Sequence, residues 1–355
     1  MTTEFTIIGA GLAGTTLAWA LVRRGRSVIM YDAEPPVTSS RVAAGLMTPI
    51  TGKRLAKSWR WDELRPVAER FYHGVEAETG TTIFHPRRIV RLFTDVKERQ
   101  RYTDHAAEFA GLVEETEPLV NPAVVSNPLG GFVMPTAAQL DVVAYLDASR
   151  EWFRERGWYQ CLLVSLYSGG RGVRGEGVAE TPPSLPTPLP PGGRGTIYCL
   201  GYGPHPLFAS VRFRPAKGEI LTVRISGLNE TRVLNRGGFW VAPTTITDVY
   251  RVGATYSWHN LDCIPTEQGR SELEQKLREL VRLPFVVIGH QAAVRPIAEG
   301  QKPRLGLHPM YPHIGYFNGL SSKGSLLAPF FAEQFAAFLC GEGELDAEVD
   351  VRNGM

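Results

Sequence analysis

Apolar and polar positions alternate along this chain in two rhythms, and the change between them divides it. Phe5 to Ile8 is a largely apolar, strand-like run, and Thr15 to Arg24 is a helix-forming run. Ser27 to Tyr31 is a second apolar run, closed by Asp32. This reads as strand, helix, strand. Leu64, Val67, Ala68, Phe71, Tyr72 and Val75 recur at helical spacing and predict an amphipathic helix over 62–79. Residues 83–84 and 88–93 read as strands, 97–108 as a polar helix, and 130–135 as a short strand closed by proline. Thr136 is expected to cap a helix that includes Leu140, Val143, Leu146 and Trp152 and ends at Gly157.

The second half changes register. Residues 196–201 form an apolar strand ending on Gly201, as at the carboxyl edge of a parallel sheet, where ligands bind. From Lys217 the pattern turns to alternating strands at 219–224, 239–243 and 250–256, which predict an antiparallel sheet. A helix over 271–283 follows, then strand character from Val286 to Val294 leading into Arg295-Pro296. The earlier style returns at 314–319, followed by a loop to Ser325 and a long apolar helix to Leu339. Residues 168–195, rich in glycine and proline, read as an irregular excursion. The expected fold class is α/β plus antiparallel β. A discontinuous Rossmann-type domain takes residues 1–80, 136–215 and 286–355, and a sheet-based domain takes 81–135 and 216–285.

Length and composition narrow this only a little. A chain of 355 residues can fill two domains. A formal net charge of +2 gives no reason to expect a nucleic-acid or membrane partner. The four cysteines, Cys161, Cys199, Cys263 and Cys340, are scattered without metal-ligand spacing, and are expected to be reduced core residues. The first strand begins by Phe5, which leaves no room for a leader, and no apolar run is long enough for a bilayer. The expected location is cytoplasmic, with no metal.

The chemistry begins at Gly9-x-Gly11-x-x-Gly14. The first glycine permits a tight turn, the second lets backbone approach a pyrophosphate, and the third lets the helix pack close to the strand. The helix N-terminus offers unpaired N–H groups to phosphates. Asp32, roughly 20 residues on, is placed for a ribose hydroxyl. The unit therefore reads as a dinucleotide site. Residues 39–49 are small enough to approach a flat ligand, or equally to form a tight loop under a helix. Lys53, Arg54, Lys57 and Arg60 interleave with Trp59 and Trp61. This pattern suits a nucleic acid, but a solvated helix approach with inward tryptophans is the favoured reading.

Six blocks, in order, carry a resemblance over nearly the whole chain: 9–14, 40–46, 196–201, 214–220, Arg295-Pro296 and 318–327. Together they resemble the D-amino-acid oxidase-like (DAO) family of FAD-dependent oxidoreductases. The nearest look is to glycine oxidase and to the oxidase domain of the bifunctional tRNA wobble-uridine-modifying enzyme, which the run 318–325 resembles in particular. The resemblance implies a two-domain fold like that of glutathione reductase, with noncovalent FAD. It places the adenosine end on Gly9, Gly11, Leu12, Ala13, Gly14, Asp32 and Ala33. It places the flavin ring and its approach near Arg41, Ala43, Ala44, Gly45, Leu46, Met47 and Gly201, and near Gly319, Ser321, Ser322, Lys323, Gly324, Ser325 and Leu326.

It also implies that Arg295 binds the substrate carboxylate, with Trp240 and Tyr256 lining the substrate pocket. Lys323 and the helix N-terminus behind it are expected to stabilise charge on the reduced ring. The open alternatives are an arginine paired with a structural acid, two core aromatics and a surface lysine. Trp240 stands where relatives show tyrosine, which would reshape the pocket and remove a hydroxyl. Two departures stand out. Gly300 occupies the place where the family carries an aspartate, with Glu299 one residue earlier, and the loop 168–195 is unlike the family's hairpin in that region. The implied reaction is oxidation of an amine beside a carboxylate, by hydride transfer to flavin N5, followed by imine hydrolysis and reoxidation by oxygen. The rivals are an oxidase acting on a carboxymethylaminomethyl-modified tRNA base and a flavin-binding protein without turnover. A nicotinamide-dependent dehydrogenase is a distant third.

Overall fold

The computed structural model describes residues 3–162, 193–203 and 205–354. Its first layer is a six-stranded sheet in the order Tyr159–Cys161, Val28–Asp32, Phe5–Ile8, Gly195–Tyr198, Ile314–Asn318, Arg304–Leu307. The first five strands are parallel and the last is antiparallel. Phe5 to Ile8 lies at its centre, paired on both sides, which is why it is buried at every position, Thr6 included. Helices Leu12–Val22 and Gly324–Cys340 pack on each other. Both are apolar almost all round because both are buried on most sides.

Helix Trp61–Thr79 forms an outer layer with a true amphipathic stripe, and ends on Gly80 at a left-handed φ of 68°. Helix Val142–Glu155 begins later than its pattern suggested. Asp141, not Thr136, caps it by accepting from the Ala144 N–H at 3.0 Å. Leu140 belongs instead to strand Ala138–Leu140, which pairs with Phe84–Pro86 and Leu46–Met47. Three residues are too few to show a period of two against the helical period that follows.

The second layer is a seven-stranded sheet in the order Val286–Arg295, Ala216–Arg224, Val249–Gly253, Phe239–Pro243, Val233–Arg236, Ile89–Leu92, Gly131–Met134. It is antiparallel except where Val233–Arg236 runs parallel to Ile89–Leu92. Helix Glu267–Leu280 covers one face, enclosing Leu221, Val223, Val241, Val252, Leu273 and Leu277. The expected boundary at 286 is corrected here. Val286–Arg295 pairs with Ala216–Arg224 along its length, so the chain returns to the first layer only after Arg295. The other face of this sheet is turned toward the first layer.

Of the four cysteines, only Cys199 is buried, and Cys161 is exposed, so the expectation of four core thiols is also corrected. Burial pushes the Cys199 thiol well above its ordinary range. Most of the excursion at 168–195 lies outside the described residues. Among those described, no helix is long and apolar enough to cross a membrane.

Candidate active site

A continuous cleft of about 2820 Å³ runs between the two sheets. Pockets for one small molecule are roughly 300–1,000 Å³. This one therefore has room for an extended ligand and a second small one.

At one end the cleft is walled by backbone. Gly9 turns with φ at 100°, and a side chain there would run into the carbonyl of Cys199. A side chain on Gly14 would collide with the Gly9 carbonyl, so the third glycine seats the helix directly on the turn. Gly9, Gly11, Leu12 and Ala13 line the cleft, whereas Gly14 lies behind them. Asp32, with Ala33 beside it, stands at the end of the neighbouring strand. Its carboxylate accepts from the Ala10 and Glu34 N–H groups at 3.1 Å each. One residue absent from the predicted set, Ser40, accepts from the Leu12 N–H at 3.1 Å. Its signal was its place in the small-residue run before Arg41.

A second helix start meets the first. Ser322, Gly324 and Ser325 line the cleft at the head of helix Gly324–Cys340, and a side chain on Gly324 would crowd Leu12. Two helix N-termini thus open on one cavity, and their N–H groups and dipoles favour a bridging anion such as a pyrophosphate. The lining, the glycine approaches and the strand-end carboxylate fit a dinucleotide.

The predicted ring-side residues divide. Ala43, Ala44, Gly45, Leu46, Gly201 and Ser321 line the cleft. Met47 and Leu326 are buried beneath it, and Gly319 is a turn with φ at 77° against Ala298. Arg41 points away and pairs with Asp147. Lys323 also points away. Its ammonium hydrogen-bonds the hydroxyls of Thr51 and Ser58 at 3.3 Å each, and burial pushes it below the ordinary lysine range. The side chain does not line the cleft, so of the pair expected to act on the ring, the helix N-terminus faces it and the lysine does not.

The far end is built from side chains of the seven-stranded sheet. Arg295, Trp240, Ile220, Ala293 and Gly218 line it from three strands. Arg295 is deeply set, and burial disfavours its charge, although guanidinium remains charged at any working pH. It donates only weakly, to the Thr255 and Lys217 carbonyls at 3.4–3.5 Å. Among the described residues it has no ion-pair partner.

Gly218 makes this seat possible, because any side chain there would overlap the guanidinium. That role was missed, since nothing in the sequence links positions 218 and 295 before the strands pair. Tyr256 is half exposed and does not line the cleft, but its ring sits 5.1 Å from the Arg295 guanidinium carbon. The following loop is stitched down by Lys217, whose ammonium reaches Asp262 and the Ile264 carbonyl at 2.6 Å each. Trp240 is buried against Gly253, where a side chain would meet its ring at 2.6 Å. Glu299 lines the cleft near Arg212, 4.0 Å away, and Gly300 turns with φ at 79°.

The basic and aromatic patch resolves inward. Trp61 is buried, Trp59 stacks on Phe331, and Arg60 pairs with Glu63 and Asp346. Lys57, itself exposed, pairs with Asp62, and among the described residues Lys53 and Arg54 are the exposed cations of the stretch without an ion pair.

The fold and cleft define a two-layer protein with a dinucleotide-sized cleft between its sheets. The chain belongs to the DAO family of FAD-dependent oxidoreductases, whose model matches residues 4–338. It is 23% identical over 357 aligned positions to glycine oxidase of Bacillus licheniformis, covering 94% of this chain and 92% of that one. Two solved structures share the fold. Glycine oxidase from Bacillus cereus ATCC 14579 superposes with a TM-score of 0.74 at 17% identity, over 96% of each chain. Iminodiacetate oxidase from Chelativorans sp. BNC1 gives 0.73 at 20%, over 97% of this chain and 98% of that one.

Proposed function

We propose that this enzyme oxidises the C–N bond of a small amine or amino acid that carries a carboxylate. The observation that carries the reading is Arg295, a largely desolvated, partly buried guanidinium facing the cleft, with no acid of its own among the described residues. A desolvated cation without a counter-ion is costly unless a ligand supplies one. A carboxylate matches its two-pronged donor geometry. The names of the similar proteins, glycine oxidase and iminodiacetate oxidase, point to the same class of substrate.

In this reading FAD, held noncovalently, would supply the two-electron redox chemistry, with oxygen as the final acceptor. The Gly9–Gly14 turn and Asp32 would hold its adenosine end, the two helix N-termini its pyrophosphate, and residues Ala43 to Leu46 and Ser321 to Ser325 its ring. The protein's own work is orientation. Arg295 anchors the carboxylate, and the Tyr256 ring and the Lys217 and Thr255 carbonyls hold Arg295 from behind. Trp240 and Ile220 close the apolar wall beside the reacting carbon and exclude water. No acid or base side chain needs to face the carbon if the amine binds neutral.

The test is anaerobic bleaching of the FAD-loaded protein by glycine, sarcosine, iminodiacetate, D-amino acids, L-proline and aminomethyl nucleosides. Bleaching by a carboxylated amine, with colour and peroxide returning in air, is the expected result. A flavin that none of them reduces would overturn the reading.

A further inference from the structure

A second partly buried arginine lies on the cleft-facing side of the same sheet, and the proposed reaction does not use it. Arg251 sits in strand Val249–Gly253, opposite Thr222 and Ala242, two residues before the glycine that seats Trp240. Its guanidinium reaches across to the first layer. It donates to the carbonyls of Val42 at 2.6 Å and Ala43 at 2.9 Å, and among the described residues it has no ion-pair partner. The Ala44 carbonyl accepts from Gln139 Nε2 at 3.1 Å, and the Gly45 carbonyl from the Leu140 N–H at 2.9 Å. Four successive carbonyls are therefore held away from the cleft.

In a planar trans peptide the N–H points opposite to its carbonyl. The Ala44 and Gly45 N–H groups share peptides with the Ala43 and Ala44 carbonyls, so both turn toward the cleft that these residues line. Among the described residues neither N–H meets an acceptor. Gly45 adopts a φ of 72° with no room for a side chain against the Leu140 carbonyl, which fixes the turn.

We propose that Arg251 is a positioning residue. By clamping the Val42 and Ala43 carbonyls it presents the Ala44 and Gly45 N–H groups as donors to the redox ring of the bound cofactor, and so raises the ring's potential. Donors aimed at a group that gains negative charge stabilise its reduced form more than its oxidised form. The inference rests on the ring's placement beside residues 43–46 given above.

The experiment compares FAD-loaded wild type with Arg251→Met and Arg251→Lys, reading midpoint potential and sulfite affinity, with circular dichroism to check the fold. In Arg251→Met the preference for reduced over oxidised FAD falls about tenfold, which for a two-electron couple is about 30 mV. Sulfite binding weakens in parallel. Arg251→Lys, which keeps charge but loses the paired donors, falls between. Wild-type values in a folded Arg251→Met would overturn the proposal. If that variant does not fold, Arg251→Lys and Gln139→Leu, which frees the Ala44 carbonyl, must both lower the potential, and unchanged values in both would overturn it. A wild-type chain that takes up no FAD removes this inference and the proposed function together. One that takes up FAD but is reduced by no amine removes only the function.

Discussion

The two ends of the cleft are built on opposite plans. At the dinucleotide end the working groups are main-chain N–H groups, gathered within the contiguous Gly9–Gly14 turn and the head of one more helix. At the far end they are side chains from positions 218, 240 and 295, assembled by pairing between distant strands. Backbone donors suit a ligand part that serves in binding only, because they are rigid and carry no net charge. In the proposed reaction the far end discriminates between small molecules, and for that it needs charge, shape and a water-free wall. The comparison teaches that binding and selectivity should be separable here by mutation.

The largest effect should come from Gly14→Val. Its side chain meets the Gly9 carbonyl, and relief requires the helix to lift from the turn. We expect a cost of about 3 kcal/mol in stability and about a hundredfold loss of FAD affinity. A variant that binds and melts like wild type would break the backbone side of the comparison.

Arg295→Met comes next. It should leave FAD content intact while kcat/KM for carboxylated amines falls about 10²–10³-fold, or about 3–4 kcal/mol. Equal losses for amines without a carboxylate would show that Arg295 serves structure instead.

Gly218→Ala is a sharper probe, since it pushes on the guanidinium without touching its charge. We expect KM to rise about tenfold with FAD binding unchanged. Steady-state kinetics beside a flavin titration separates the two.

The smallest effect is expected from Asp32→Ala, which strips the acceptor from the Ala10 and Glu34 N–H groups. FAD affinity should fall about fivefold, near 1 kcal/mol, with kcat unchanged at saturating cofactor. A change in substrate preference here would contradict the separation of the two ends.

What could be read in advance follows the same divide. The glycine turn, the strand before it and Asp32 were legible because a βαβ unit keeps its chemistry within one short stretch of chain. Arg295 and Trp240 were reached only through resemblance, and Gly218, Ser40 and Arg251 were not reached as site residues at all. Each of these owes its role to a neighbour far away in sequence: Gly218 to Arg295, Ser40 to Leu12, and Arg251 to Val42 and Ala43. Lys323 shows the reverse case. Its place before a helix was right, but the sequence could not show that Thr51 and Ser58 would draw its side chain away from the cleft.

By itself the sequence determined the local units: the apolar central strand, the glycine turn, the amphipathic helices and the alternating strands of the second layer. Those follow from backbone sterics and from burial periodicity, which act over a few residues. The tertiary structure decided where Val286–Arg295 pairs, which side chains share the cleft, and which cations end up paired with acids rather than facing a ligand. Strand pairing, burial and charge compensation are long-range, and no stretch of the chain contains both partners.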